Sequence, residues 1–162
     1  MECAKDCTAQ GCFFEEQIKF PSEKRLREKP VAVIECCQQI PCNPCQDYCP
    51  FGVIKVAGNI NAVPEIDFDN CTGCGLCLGY CPGLAIFLLH IDGEKGLVTV
   101  PLEMEPPQEG EEVDLLNRAG EKVSEGVVAK VRKQKQHDRC FLVTLEMEKD
   151  LIKTVRGFRR RK

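Results

Sequence analysis

Residues 70–82 read N-C-T-G-C-G-L-C-L-G-Y-C-P, a run with the cysteine spacing C-x2-C-x2-C-x3-C-P. Its cysteines are Cys71, Cys74, Cys77 and Cys81. Three thiolates at such short intervals can hold three corners of an iron–sulfur cubane, while backbone N–H groups of the loop turn toward its sulfides. Gly73 and Gly75 suit this loop because glycine permits unusual backbone angles and a close approach to a bound group. The run therefore predicts a [4Fe–4S] site.

An altered copy of this run occupies residues 35–50, which read E-C-C-Q-Q-I-P-C-N-P-C-Q-D-Y-C-P. The spacing C-x2-C-x3-C-P is kept by Cys42, Cys45 and Cys49. Gln39 stands where the first cysteine would be, and glutamine is a poor substitute for a thiolate. A slightly longer loop could supply the missing thiolate from Cys36 or from Cys37.

The two runs belong to an internal repeat, because an apolar stretch, 51–56 or 84–89, follows each Cys-Pro pair. Residues 31–90 resemble the two-cluster bacterial ferredoxin domain, a pseudo-twofold fold of short strands and helices. In that family the fourth cysteine of each run ligates the other cluster. The resemblance therefore implies two [4Fe–4S] clusters.

The same resemblance implies the ligands. One cluster would take Cys71, Cys74, Cys77 and Cys49. The other would take Cys42, Cys45, Cys81 and one of the pair Cys36 and Cys37. Accessory subunits with the similar pattern E-C-x-x-x-I-P-C-N-P-C favour Cys36. If neither thiol reaches the site, the first cluster would be a three-iron form or absent.

The remaining cysteines are Cys3, Cys7, Cys12 and Cys140. The first three, with the spare member of the upstream pair, could hold a third cluster or a zinc ion. The alternative, which we favour, is that they are unligated thiols of an N-terminal extension, residues 1–30. We expect Cys140 to be a structural residue.

Thirteen cysteines in 162 residues raise the question of what the thiols bind. No apolar run approaches the roughly 18–20 residues that cross a bilayer, and the N-terminus has no signal-like core. We therefore expect a cytoplasmic protein, in which grouped cysteines hold metal rather than disulfides. The formal net charge of −3 argues against a nucleic-acid binder. The last four residues form a basic tail, Arg159, Arg160, Arg161 and Lys162. We expect this tail to be either a solvated end or a docking contact for an acidic partner.

The composition changes after residue 91, where cysteines become rare and several prolines indicate an extended connection. Apolar residues alternate with polar ones at 141–147 and at Val127, Ala129 and Val131, which predicts two strands with one buried face each. The R-A-G-E sequence at 118–121 predicts a hairpin turn. We expect an α+β protein in which a small antiparallel β-barrel-like docking domain, residues 91–162, follows the ferredoxin domain.

Neither histidine is predicted to be a ligand. His90 lies at the edge of an apolar arm, where a hydrogen-bonded or solvent-facing ring is expected, and His137 lies in the charged stretch 133–139, which predicts a loop. The sequence contains no recognisable nucleophile with a paired base and no phosphate loop. We therefore expect no catalysis by this chain itself.

These features together predict a carrier of single electrons. Residues 30–87, with the ending C-P-G-L-A-I-F, resemble ferredoxin-like subunits of flavin-dependent amino-acid or amine dehydrogenases in anaerobic bacteria. The resemblance implies a hetero-oligomer in which a flavoenzyme partner supplies electrons that this chain relays to an acceptor. The alternatives are a free soluble ferredoxin, a cluster-based redox sensor and a zinc-binding structural protein.

Overall fold

The computed structural model describes residues 15–36 and 39–161. Its short helices are α1 (Glu23–Glu28), α2 (Pro44–Asp47) and α3 (Leu76–Tyr80), with single 3-10 turns at Glu15–Gln17 and Lys149–Leu151. Its strands are β1 (Val31–Ile34), β2 (Ile54–Lys55), β3 (Glu65–Ile66), β4 (Ile86–Asp92), β5 (Lys95–Leu102), β6 (Glu112–Leu116), β7 (Lys122–Lys133), β8 (Phe141–Glu148) and β9 (Gly157–Arg160). None of these helices is long and apolar enough to cross a membrane.

The two cysteine runs fold alike, because each contains one short helix. Pro44 opens α2, where the fixed φ of proline suits the first helical turn. Gly75 precedes α3 in the left-handed conformation, with a φ of 84°. At the end of α3 the backbone of Cys81 is extended, as expected for a residue that precedes proline. The chain therefore leaves α3 directly at the fourth cysteine of the run.

Two antiparallel strand pairs flank these runs. β1 pairs with β4, so that Val31 lies opposite Leu89, and β2 pairs with β3, so that Ile54 lies opposite Ile66. β1 and β2 enclose the first run in sequence, and β3 and β4 enclose the second. The order strand, cysteine loop, helix and strand thus occurs twice.

One seven-stranded antiparallel sheet has the strand order β1-β4-β5-β8-β7-β6-β9. β4 pairs with β1 along one edge and with β5 along the other, and Gly93, with a φ of 61°, makes the turn into β5. Because this hairpin continues the sheet, the strands after residue 91 extend it instead of forming a separate barrel. The fold is mixed, and the strands that the structure describes form no closed barrel.

The strands predicted in the second half are part of β7 and β8, and the R-A-G-E turn joins β6 to β7. On β8 the expected buried face is confirmed, since Val143 and Leu145 are buried. On β7 the predicted face was wrong: Val128 is buried, while Val127 is 38% exposed. A register irregularity between Val128 and Lys130 shifts the alternation, and a shift of one residue moves a side chain to the other face.

A buried ion cluster connects the first cysteine run to the end of the chain. The carboxylate of Glu35, which precedes Cys36, accepts hydrogen bonds of 2.9 and 2.8 Å from Arg118. It also accepts one of 2.5 Å from Arg156, and the side chains of Glu35 and Arg156 are only 6% and 4% exposed. Burial lowers the pKa of Arg156 to about 10, although the carboxylate opposes this change. The start of the first cysteine run is therefore fixed by a non-local ion pair.

Candidate iron–sulfur centre

A cavity beside α3 has four cysteines in its wall. These cysteines are Cys49, Cys71, Cys74 and Cys77. Much of the remaining wall is apolar and includes Ala32, Ile54 and Leu88. Three of the thiols belong to the second run, and the fourth comes from the first run.

A second cavity has the complementary set of thiols in its wall. Its cysteines are Cys36, Cys42, Cys45 and Cys81. Each cavity therefore has one cysteine from the other run, Cys49 in the first cavity and Cys81 in the second. The ferredoxin resemblance implies this arrangement. Cys36 lies in the wall, whereas its alternative, Cys37, lies outside the described residues. Ligation by these thiols stays a prediction.

The thiols of each set interact electrostatically. Burial, followed by the neighbouring Cys81 thiol, raises the pKa of Cys45 to about 11. Burial, followed by the thiols that share its cavity, also raises the pKa of Cys77. Four thiolates in a largely apolar wall repel one another, so positive charge is needed between them to keep all four deprotonated. Iron supplies that charge in a thiolate-bound [4Fe–4S] cluster, and the donor set fits this group.

The thiols of each set lie in the wall of a cavity. Zinc would require four ligands at about 2.0–2.3 Å from one centre. In the described part of the chain, no three His, Cys, Asp or Glu side chains are placed to hold a single ion. Thiols in the walls of a cavity instead suit the separate iron corners of a cubane.

One backbone N–H group points at a cysteine sulfur in each set. The Ala32 N–H in β1 donates to Cys71 Sγ at 3.5 Å, and the Ala85 N–H just before β4 donates to Cys81 Sγ at 3.4 Å. Hydrogen bonds to ligand sulfurs stabilise their negative charge and contribute to the reduction potential of a bound cluster. β1 and the residue before β4 therefore supply one donor to each set of thiols.

Arg25 on α1 anchors the second cysteine loop, and sequence analysis missed it. The side chain is 4% exposed and donates hydrogen bonds to the carbonyls of Phe68, Lys29 and Cys71, at 2.7, 2.8 and 2.7 Å. In sequence it lies within E-K-R-L-R-E, a charged hexapeptide that gives no sign of a buried arginine. The N-terminal helix thus fixes the backbone at the first cysteine of the loop.

Replacing Arg25 with methionine is expected to destabilise the iron-loaded protein by at least about 3 kcal/mol, because each buried carbonyl left without a donor costs about 1–3 kcal/mol. The measurement is anaerobic urea denaturation, with iron content determined on the same samples. Arg27→Met is the control on the same helix, since Arg27 pairs with Glu23 at the exposed surface. Equal midpoints for the two variants would contradict the anchoring role.

The loop between β7 and β8 also packs against the second cysteine run. The Gln134 side-chain amide donates to the Cys74 carbonyl at 2.6 Å. The Tyr80 hydroxyl donates to the Gln136 carbonyl at 2.9 Å. Since residues 134 and 136 are about 60 positions from these partners, no local pattern could have predicted the contacts. The second half of the chain therefore covers one side of the cysteine loop.

His137 also belongs to the contact between the β7–β8 loop and the second cysteine run. It lies in a loop, as the sequence predicts, but it is only 2% exposed, and its Nε2 is 3.0 Å from the Leu76 carbonyl oxygen on α3. A Cβ atom at Gly79 would overlap the imidazole ring, so glycine is needed there for close packing. The ring also contacts Tyr80 edge-on, with 5.3 Å between ring centroids. His137 therefore supports the helix that carries Cys77.

Two tyrosines connect the exchanged cysteines. Tyr48 and Tyr80 each directly precede the fourth cysteine of a run, Cys49 or Cys81. Their rings stack with 3.6 Å between centroids and 6° between planes. This stack joins equivalent positions of the repeat and fixes the spacing between the two crossover points.

The other predicted residues lie elsewhere or are not described. Cys140 is buried outside both cavities, with its Sγ 3.6 Å from the Phe141 carbonyl oxygen. His90 has a partner, since its Nδ1 is 2.8 Å from the Leu26 carbonyl oxygen. The possible third site lies outside the described residues and stays a prediction; it comprises Cys3, Cys7 and Cys12.

Comparisons with known proteins match the cysteine-rich part of this chain. The family model of the 4Fe-4S binding domain matches residues 64–87, which contain the whole second cysteine run. The ferredoxin-type protein NapF of Haemophilus influenzae is 42% identical over 50 residues, 30% of this chain and 28% of that protein. One subunit of the ion-translocating oxidoreductase complex of Methanosarcina acetivorans is 40% identical over 60 residues, 37% of this chain and 20% of that protein.

Pyruvate synthase subunit PorD of Methanocaldococcus jannaschii is 38% identical over 58 residues, 36% of this chain and 63% of that protein. The chain thus matches less than two thirds of each of these relatives. No solved structure matches it. The cysteine spacing, the cavity that these cysteines line and the family match together identify a 4Fe–4S ferredoxin-type electron-transfer domain in this chain.

Proposed function

We propose that this chain carries two [4Fe–4S] clusters and relays single electrons as a subunit of a larger oxidoreductase. The observation that supports this best is the pair of cavities, each lined by four cysteines, with Cys49 and Cys81 exchanged between the runs. A [4Fe–4S] cluster, when bound, accepts and releases one electron at a time.

The β1–β4 pair brings the two cavities close together. Ala32 and Leu88 lie opposite each other on this ladder and line the first cavity. Ile34 and Ile86 form the next pair on the same face and line the second cavity. Two residues along a strand span about 6.6 Å, so the two walls are neighbours. The strand pair can therefore hold two centres at a short distance and keep water from the space between them.

The proposed partner is a flavin-dependent amino-acid or amine dehydrogenase, which would oxidise its substrate and pass electrons to this chain one at a time. The resemblance of residues 30–87 supports this identity. Two of the relatives carry names of complex subunits, which supports work within an assembly. We also propose a cytoplasmic location, because cysteines grouped in this way hold metal in reducing compartments.

Iron and acid-labile sulfide per chain, with EPR spectra before and after dithionite reduction, test the two-cluster proposal on anaerobically purified protein. We expect about eight irons and interacting spins on reduction. About four irons would refute the second cluster, and zinc without sulfide would refute electron transfer. Anaerobic purification from the native host tests the partner, since a chain that purifies alone would favour a free ferredoxin.

Separate serine variants of Cys36 and Cys37 test which of the two thiols is a ligand of the first cluster. This is the ligand position at which the chain deviates from the family spacing. We expect Cys36→Ser to lose the iron of the first cluster, because Cys36 shares a cavity wall with Cys42, Cys45 and Cys81. Cys37→Ser is expected to keep all its iron. Iron analysis with EPR distinguishes the two, and the opposite result would assign the corner to Cys37.

A further inference from the structure

Residues 130–139, named here the basic segment, read K-V-R-K-Q-K-Q-H-D-R and contain five Lys or Arg against one Asp. The chain as a whole carries a formal net charge of −3. Lys130, Lys133 and Lys135 are exposed. Positive charge is therefore concentrated at one place on a chain that is acidic overall.

These cations form no ion pair with a carboxylate of the described chain, although the Glu109 carboxylate accepts a hydrogen bond of 2.9 Å from the Val131 N–H within the segment. Across residues 15–36 and 39–161, no carboxylate lies within ion-pair distance of Lys130, Arg132, Lys133 or Lys135. Arg139 meets only the neighbouring Asp138, at 4.0 Å, with both side chains almost fully exposed. The charge of the basic segment is thus available to a partner.

The basic tail is different, although the sequence offered it as a docking contact. Arg159 pairs with Asp114 at 3.5 Å, and Arg160 pairs with Glu111 at 2.7 Å. Arg161 pairs with three carboxylates, those of Glu112, Asp114 and Glu125. The tail is therefore neutralised by its own sheet and offers little attraction to an acidic protein.

The basic segment lies directly on the second cysteine loop. Its Gln134, Gln136 and His137 make the contacts with Cys74, Tyr80 and Leu76 described above. A groove with about 780 Å³ of empty space, open on one side, is lined by Lys130 and Arg132 together with Gly73 of that loop. A protein bound to the segment would thus lie next to Gly73, in the loop that carries Cys71 and Cys74.

We propose that the basic segment docks an acidic electron-transfer protein beside the cavity of Cys49, Cys71, Cys74 and Cys77. This inference rests on the proposed function and adds the docking site and the charge of the acceptor to which the electrons are relayed. One electron crosses in each encounter, so one protein of the pair is oxidised and the other is reduced. Opposite charges steer the two surfaces together and orient them before contact.

The test measures the binding of flavodoxin, a small acidic flavin protein, to the full iron-loaded chain by anaerobic isothermal titration calorimetry. We expect Lys130→Gln/Lys135→Gln to weaken binding by about tenfold at low ionic strength, because two steering charges are lost. Binding to the unaltered chain should weaken between about 20 mM and about 200 mM salt, as the screening length shortens.

Lys24→Gln/Lys153→Gln removes the same charge from two exposed lysines outside the segment that form no ion pair with a described carboxylate, and it is expected to leave binding unchanged. Equal weakening by both double variants would overturn the proposal, because net charge alone would then explain the effect. Unchanged binding by the Lys130/Lys135 variant with full iron would also overturn it. Tighter binding of a DNA duplex than of flavodoxin to the segment would also overturn the proposal. Failure of the proposed function would appear separately, as an unaltered chain without iron or sulfide.

Discussion

Cys49→Ala is expected to remove the cluster of the second cysteine run, although Cys49 belongs to the first run. The reason is that its thiol shares a cavity with Cys71, Cys74 and Cys77. Iron should fall from about eight to about four atoms per chain, because one cubane of four is lost. In EPR, the spin interaction between the two clusters should disappear on reduction. A substitution in the first cysteine run would thus remove the cluster of the second run.

Cys140→Ala is the matched control, because Cys140 is buried but lies outside both cavities. It should keep all its iron, even if its stability falls. The reciprocal variant, Cys81→Ala, should lose the iron of the first cluster instead. If Cys49→Ala retained full iron and an unchanged spectrum from the second run, the exchange of ligands would be refuted.

Glu35→Gln is expected to lower the free energy of unfolding by about 3–5 kcal/mol, because breaking a buried ion pair leaves uncompensated charge in the interior. Arg118 and Arg156 would both lose their carboxylate while staying buried, with side chains only 11% and 4% exposed. Glutamine keeps the size of the side chain, so the loss reflects charge rather than a cavity. Anaerobic urea denaturation of the iron-loaded protein measures the difference.

Glu23→Gln provides the comparison, since the pair of Glu23 and Arg27 is exposed and should contribute little. A similar midpoint for the two variants would show that the buried cluster does not stabilise the fold. The iron content of Glu35→Gln adds a second readout. Glu35 precedes Cys36, so a shift of its backbone should disturb the first cluster before the second.

The grouping of the cysteines could be predicted because the spacing within each run is local information. Residues 70–82 determine a loop and a helix almost by themselves, and the family resemblance supplies the exchange between runs. In contrast, Arg25 and His137 could not be predicted as site residues. Each appears in a charged stretch, and only the packing of distant elements buries it.

The strands of the sheet could be predicted only where their alternation of apolar and polar residues is regular. Alternation at 141–147 identified the buried face of β8, since a regular strand keeps its period of two. At Val128 the register irregularity breaks that period, and the alternation then indicated the wrong face. The ion pairs of Arg159, Arg160 and Arg161 depend on carboxylates some 35 to 50 positions earlier, most of which lie on or next to β6, the strand that pairs with β9.

The hairpin at Gly93 affects how the chain could be divided by a protease, by gene fusion or in recombinant expression. β4 gives one edge to β1 and the other to β5, from Leu88 opposite Thr99 to Asp92 opposite Lys95. A fragment that stopped after β4 would carry both cysteine runs but would expose a row of unpaired N–H and C=O groups. Unpaired, exposed apolar strand edges tend to pair with strands of other chains. The cysteine-rich part would therefore need another strand along β4 to remain soluble on its own.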